Sequence, residues 1–154
     1  MKFSSKEDIA APIEQVFMAL TDFETFERAA MRRGIEVMRS DGPGTGGVGT
    51  EWQCRVPYRG KTRKLSTRID RFDTPEHLVL GWVIMGLSGQ MDIELVQLSP
   101  RQTRMSIALE MKPNSLTARL FIQSLRLAKA SLNRKFKRGV ARFSEDLEAR
   151  LGAA

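Results

Sequence analysis

The chain has 154 residues, 42% of them hydrophobic, and a formal net charge of +7. That length suits one domain, which buries roughly 70% of its unfolded surface and needs no disulfide or metal staple. No apolar run of about 20 residues is present for a membrane helix, Met1–Asp8 lacks a secretory leader pattern, and the lone cysteine, Cys54, cannot close an internal disulfide, so a cytoplasmic location is predicted.

Phe3, Ser5, Glu7 and Ile9 alternate with Lys2, Ser4, Lys6 and Asp8, which predicts a first strand. Pro12 suits a first helical position, and Val16, Phe17 and Leu20 give that short helix an apolar face. A second short helix is predicted from Phe23 to about Arg33, with Phe23, Phe26 and Ala30 on one side and Gly34 as its stop. Ile35–Arg39 reads as a strand. Ser40–Gly47 is a glycine-rich turn. A phosphate-cradling loop needs a Lys-Ser/Thr pair opening a helix, whereas Val48–Val56 continues as a strand, so the glycines are assigned to hairpin geometry at a cavity mouth.

Further strands are predicted at Lys61–Phe72, His77–Met85, Gln90–Leu98 and Thr103–Met111, separated by turn-forming segments at 73–76, 86–89 and 99–102. One alternate set along these strands is apolar: Trp52, Cys54, Val56; Leu65, Thr67, Ile69; Leu78, Leu80, Trp82, Ile84; Met91, Ile93, Leu95; Met105, Ile107, Leu109, Met111. The other set carries Gln53, Arg55, Lys64, Arg68, Asp92, Glu94, Arg104 and Glu110. An antiparallel sheet with one dry and one wet face follows.

From Leu116 to Leu151 a helical pattern places Phe121, Leu125, Ala128, Leu132, Phe136, Val140, Phe143 and Leu147 on one stripe. That stripe must bury against the dry sheet face, which makes the fold class α+β: a curved antiparallel sheet of six to seven strands wrapped around a long C-terminal helix, with two short helices after the first strand. One continuous helix would run about 54 Å against about 33 Å for a ten-residue strand, so it must overhang, bend or begin late. Gly139 is one candidate bend, and the apolar segment Leu116–Leu127 is either a wide core face or a separate first segment over a pocket mouth, serving as a lid or a partner-contact surface.

The positive charge concentrates on that helix and on the hairpin carrying Arg55, Arg59, Lys61, Arg63, Lys64, Arg68 and Arg71. It is first a solvated face; an anionic membrane surface stays open as a partner, and the lack of any recognisable nucleic-acid motif argues against DNA or RNA. The sequence sets no oligomeric state.

The pattern Ile9-x-x-Pro12-x-x-x-Val16-x-x-x-Leu20-x-Asp22, the glycine-rich Gly42–Gly49 hairpin leading to Trp52, the strand-turn-strand Ile69–Leu78 and the basic C-terminal helix resemble the START-like superfamily, SRPBCC. The resemblance is closest to its bacterial polyketide cyclase/dehydrase and lipid-transport group and spans essentially the whole chain. It implies a helix-grip fold with an apolar cavity between sheet and C-terminal helix, binding a small hydrophobic ligand such as a lipid, quinone or polyketide, as a carrier or sensor. Cyclisation or hydrolysis in the same cavity is the alternative, and a membrane-associated adaptor a weaker one.

The expected ligand-binding residues are Trp52, Cys54, Leu65, Ile69, Leu80, Trp82, Met91, Ile93, Met105, Ile107, Leu125 and Leu132. Cys54 reads as a small buried hydrophobe rather than a nucleophile. Glu7, Tyr58, His77, Asp92 and Glu94 are the polar residues of interest: Glu7 is in phase with Phe3 and Ile9, whereas Asp92 and Glu94 are phased opposite Met91, Ile93 and Leu95, and His77 falls in a predicted exposed turn. No catalytic constellation assembles, no cofactor is called for, and one histidine with one cysteine argues against a metal site of the Cys/His kind.

Overall fold

The structure is a computed structural model that describes residues 1–40 and 47–153. Residues 41–46 of the predicted glycine-rich turn lie outside the described residues. The elements run β1 (Lys2–Ile9), α1 (Ile13–Leu20), α2 (Phe23–Arg32), β2 (Glu36–Arg39), β3 (Glu51–Tyr58), β4 (Lys61–Asp73), β5 (His77–Ile84), β6 (Leu87–Ser99), β7 (Gln102–Pro113), α3 (Leu116–Leu127) and α4 (Lys129–Ala153). The strands form one antiparallel sheet in the order β1-β7-β6-β5-β4-β3-β2.

Consecutive strands β2 to β7 pair as hairpins, while β1 joins the far edge beside β7. The two strands that flank α1 and α2 in sequence are therefore the two edges of the sheet. The short helices carry the chain across from one edge to the other. Pro12 sits one position earlier than expected, as the N-cap of α1. Asp22 caps α2: its carboxylate accepts from the Thr25 hydroxyl at 2.6 Å and the Thr25 backbone N–H at 3.4 Å, satisfying a donor that the helix start leaves unpaired.

The strand register builds a continuous inner face. Ile69 faces Leu80, which faces Met91, which faces Leu109, which faces Phe3. Alongside runs the row Leu78, Ile93, Ile107 and Ser5. Because side chains alternate strictly along a strand, this pairing puts the predicted apolar set on one side; a register irregularity between Ile69 and Arg71 is absorbed on β4.

The core divides in two. The larger part joins Val16, Phe17 and Leu20 of α1 to Ile69, Leu78, Ile93, Leu95 and Met105 of the sheet and to Val140 and Leu147 of α4. The smaller gathers Leu87, Ala118 and Ile122, with Met1 and Trp82 against them. The C-terminal helix breaks accordingly, at Ala128 (φ −107°, ψ 17°), so that Leu116–Leu127 is a separate segment, while the candidate bend Gly139 lies inside α4. Ser115 caps α3 by accepting from the Ala118 N–H at 3.1 Å, and α3 buries one side on the end of the sheet before the chain turns to cross the inner face. The predicted single stripe is thereby split: Val140 and Leu147 are buried, whereas Phe121 and Ala128 are exposed.

Leu147 is 1% exposed and Leu127 is 92% exposed. Leu147→Ala is expected to cost about 2–5 kcal/mol in urea unfolding, and Leu127→Ala no more than about 0.5 kcal/mol. Equal losses would contradict the division of the helix into a packed and an unpacked part.

Candidate functional site

Where α4 crosses the inner face it does not close onto the sheet, and a cavity of about 510 Å³ remains, within the roughly 300–1,000 Å³ typical of small-molecule sites. Its floor is Trp52, Cys54, Thr67, Leu78, Leu80, Met91, Ile93 and Ile107, one alternate set drawn from β3 to β7. The roof is Phe136, Gly139, Val140 and Phe143 of α4. Leu20, Phe23, Phe26, Glu27 and Ala30 from α1 and α2, with Val37 of β2, form the remaining wall.

Two features keep the space hollow. Gly139 presents no side chain to it, and a Cβ built there meets nothing within 4 Å. Aromatic pairs meanwhile brace the walls: Phe23 against Trp52 with ring centroids 5.0 Å apart, and Phe26 against Phe143 at 6.2 Å. Such pairs add geometric preference to apolar burial.

The one charged lining group is Glu27, on α2. Its carboxylate accepts from Arg39 Nε at 2.8 Å, Arg39 Nη2 at 2.6 Å and Trp52 Nε1 at 2.7 Å, while the Arg39 guanidinium carbon lies 6.0 Å from the Trp52 ring centroid. The hydrogen bond from Arg39 holds the Glu27 carboxyl below its ordinary value, outweighing the opposing effect of burial, with Trp52 assisting; the same bond raises Arg39. Burial, reinforced by the Glu27 charge, pushes the Cys54 thiol up. At neutral pH the cavity therefore holds a carboxylate already committed to three donors and a protonated thiol.

Of the twelve residues expected to contact a ligand, Trp52, Cys54, Leu80, Met91, Ile93 and Ile107 line this cavity. The other six do not. Ile69 and Met105 are fully enclosed in the larger core, Leu65 is half-buried on β4, and Leu125 and Leu132 sit half-buried on either side of the Ala128 break, outside the lining. Trp82 belongs to the smaller core beneath α3 and packs over Gly89, where a Cβ would come within 2.6 Å of its ring. Face parity is the same for all of them, but the inner face runs beyond the cavity, and parity does not locate where the helix leaves it.

Glu27 is the residue sequence reasoning missed. Its spacing from Phe23 and Ala30 places it on the same inward side of α2, a charged position inside an apolar face, which was the available signal. Glu7 is half-buried on the inner side of β1 but outside the cavity lining, and Tyr58 is exposed. His77, expected to be exposed in a turn, is the first residue of β5 and half-buried, with Nε2 at 2.7 Å from Asp92 Oδ1 and 3.7 Å from Glu94 Oε1. Among the described residues these three converge as metal ligands would, within 4.8 Å of one another; their phase puts them on the outer face, away from the cavity. A depression of about 490 Å³ on that outer side is lined by Gln53, Arg68, Asp70, Gln90, Glu110 and Lys112, among others, charges of both signs that suit a hydrated surface.

The sequence matches the family model described as polyketide cyclase/dehydrase and lipid transport over residues 1–148. No curated protein matches significantly. Among solved structures, the Zhui aromatase/cyclase from Streptomyces sp. R1128 is similar with a TM-score of 0.66 at 12% identity, over 98% of this chain and 95% of that one. A protein from Thermus thermophilus gives a TM-score of 0.64 at 13% identity, over 97% and 99%. An HSP90 activator from Plasmodium falciparum gives 0.53 at 18% identity, over 75% and 76%. At these identities the likeness concerns the fold.

Because the folded state lowers the Glu27 pKa, the stability it contributes is present above the ordinary value of 4.5 and is lost as pH falls through the folded value. Glu27→Gln is expected to lose about 1.5–3 kcal/mol near pH 7, with the gap to wild type narrowing below pH 4.5 in urea unfolding. A gap independent of pH would contradict the ionised triad.

Proposed function

The chain belongs to the polyketide cyclase/dehydrase and lipid transport family, and from that membership we propose that it binds one small, largely apolar molecule in the cavity beneath α4, as a carrier or sensor. The observation that carries this reading is the lining itself: aromatic and aliphatic side chains surround the space, and the single carboxylate among them is neutralised by Arg39. A guest hiding about 300 Å² of apolar surface gains roughly 7 kcal/mol before the costs of association. One hydrogen bond adds about 1 kcal/mol. Shape and apolar area therefore dominate selection.

Catalysis in the same space is supported less. A general acid or base works best with a pKa near the working pH, whereas Glu27 is shifted down and Cys54 up. Thr67 is the remaining polar side chain of the lining apart from the Trp52 indole N–H, which Glu27 engages.

The test uses 1-anilinonaphthalene-8-sulfonate, whose emission rises and shifts to the blue in an apolar site, with a long-chain fatty acid and a hydrophobic polycyclic as competitors. Wild-type protein is expected to bind one probe displaceably. Gly139→Leu fills the cavity without a clash at Cβ and replaces a poor helix former by a good one, so it is expected to keep its circular dichroism and thermal midpoint while probe affinity falls about tenfold or more, a loss of at least about 1.4 kcal/mol. Unchanged affinity in a folded Gly139→Leu would overturn the reading.

A further inference from the structure

The break at Ala128 leaves α3 with a face that nothing among the described residues covers. Leu116, Leu120 and Leu127 are 73%, 58% and 92% exposed, and at 3.6 residues per turn they project within about 40° of one another. Ala118 and Ile122, which α3 buries on the end of the sheet, lie on the opposite side of the helix. A row of outward leucines is therefore not part of the core; it is spare apolar surface on a helix that is already anchored.

The charge around it is one-sided. From Leu116 to Ser144 the chain carries eight Lys and Arg and no Asp or Glu. Arg119 and Arg126 lie beside the leucine row on α3 itself, and further basic residues follow on the first half of α4. Apolar side chains on the outward face with long cationic side chains beside them are what a helix lying in a lipid–water interface requires: leucines enter the acyl boundary while guanidinium groups stay at the headgroups. The positive field points to anionic headgroups in particular. A second copy of the chain fits worse, because it would set two surfaces of this charge face to face.

We propose that the outward leucine face of α3, with its adjacent arginines, docks the protein on an anionic lipid bilayer. No helix among the described residues is long and apolar enough to cross a membrane, so the attachment is peripheral and reversible. The docking surface is separate from the cavity, since no α3 residue belongs to the cavity lining. It goes beyond ligand binding and stands or falls apart from it.

The experiment is flotation of the full chain with vesicles of phosphatidylcholine containing 30 mol% phosphatidylglycerol, against phosphatidylcholine alone, at low and high salt, with light scattering of the free protein. Binding to the anionic vesicles is expected at low salt, with at least a tenfold loss on neutral vesicles or at 0.5 M salt. Leu120→Glu with Leu127→Glu, and separately Arg119→Glu with Arg126→Glu, are each expected to reduce binding at least tenfold while thermal midpoint and probe binding in the cavity stay at wild-type values. Lys61→Glu with Lys64→Glu, on the β3–β4 hairpin three strands from β7 in the sheet order, is expected to change it less than threefold. Absence of vesicle binding at low salt, indifference to the leucine substitutions, an equal loss from the hairpin substitutions, or a dimer that the leucine substitutions dissociate would each overturn the proposal.

Discussion

The structure depends on how α4 meets the inner face of the sheet. The helix must bury its apolar side there, yet it reaches full contact only toward its C-terminal half, where Val140 and Leu147 join the core that α1 helps build. Nearer its start it is propped by Phe136 against Phe3, with ring centroids 5.8 Å apart. Between these supports the helix passes Gly139 over the sheet, and the floor residues of five strands lack a partner above them. Close packing is the norm in protein interiors, so a hollow of this size held open by aromatic braces is the feature that most distinguishes this core.

The polar architecture follows from the same arrangement. The edge strand β2 is only four residues long, and an edge this short gains little from its ladder. Glu27 ties α2 to it through Arg39 and to β3 through Trp52, so one carboxylate joins the helix to the two strands at that edge of the sheet. The pairing also explains how a charge can sit beside an apolar space: burial of an unpaired carboxylate would be costly, whereas one that accepts three charge-assisted or indole hydrogen bonds is satisfied.

Much of this was legible in the sequence, for reasons specific to particular residues. Strict alternation along β5 to β7 identifies the inner face, and the turn residues between them fix hairpin order. Pro12 marks the start of α1 within one position. What the sequence withheld was position along a face. Trp82 and Leu80 have the same parity and are both apolar, yet one lies under α3 and the other in the cavity, because the difference is decided by where the C-terminal helix breaks. Ala128 is no turn former and only the end of the apolar run Leu116–Leu127 marks that break, while Gly139, the candidate bend, serves instead as an empty place in the cavity roof. Glu27 was hidden for a related reason: a Glu in a short helix ordinarily faces water, and only the approach of Arg39 and Trp52, distant in sequence, makes the inward orientation favourable.

Membership of a family that spans cyclases, dehydrases and lipid transport leaves the chemistry to the residues of each cavity. Here the proposed receptacle rests on a lining whose one carboxylate is already held by Arg39 and Trp52. The most direct measurement is methyl NMR of the isoleucine, leucine, valine and methionine side chains during titration with a long-chain fatty acid and a hydrophobic polycyclic. The account predicts saturable shifts at Leu78, Leu80, Met91, Ile93, Ile107 and Val140, with Val83 and Val96 on the outer face unmoved. Shifts confined to the outer face, or cavity methyls that stay fixed with every apolar guest offered, would contradict it.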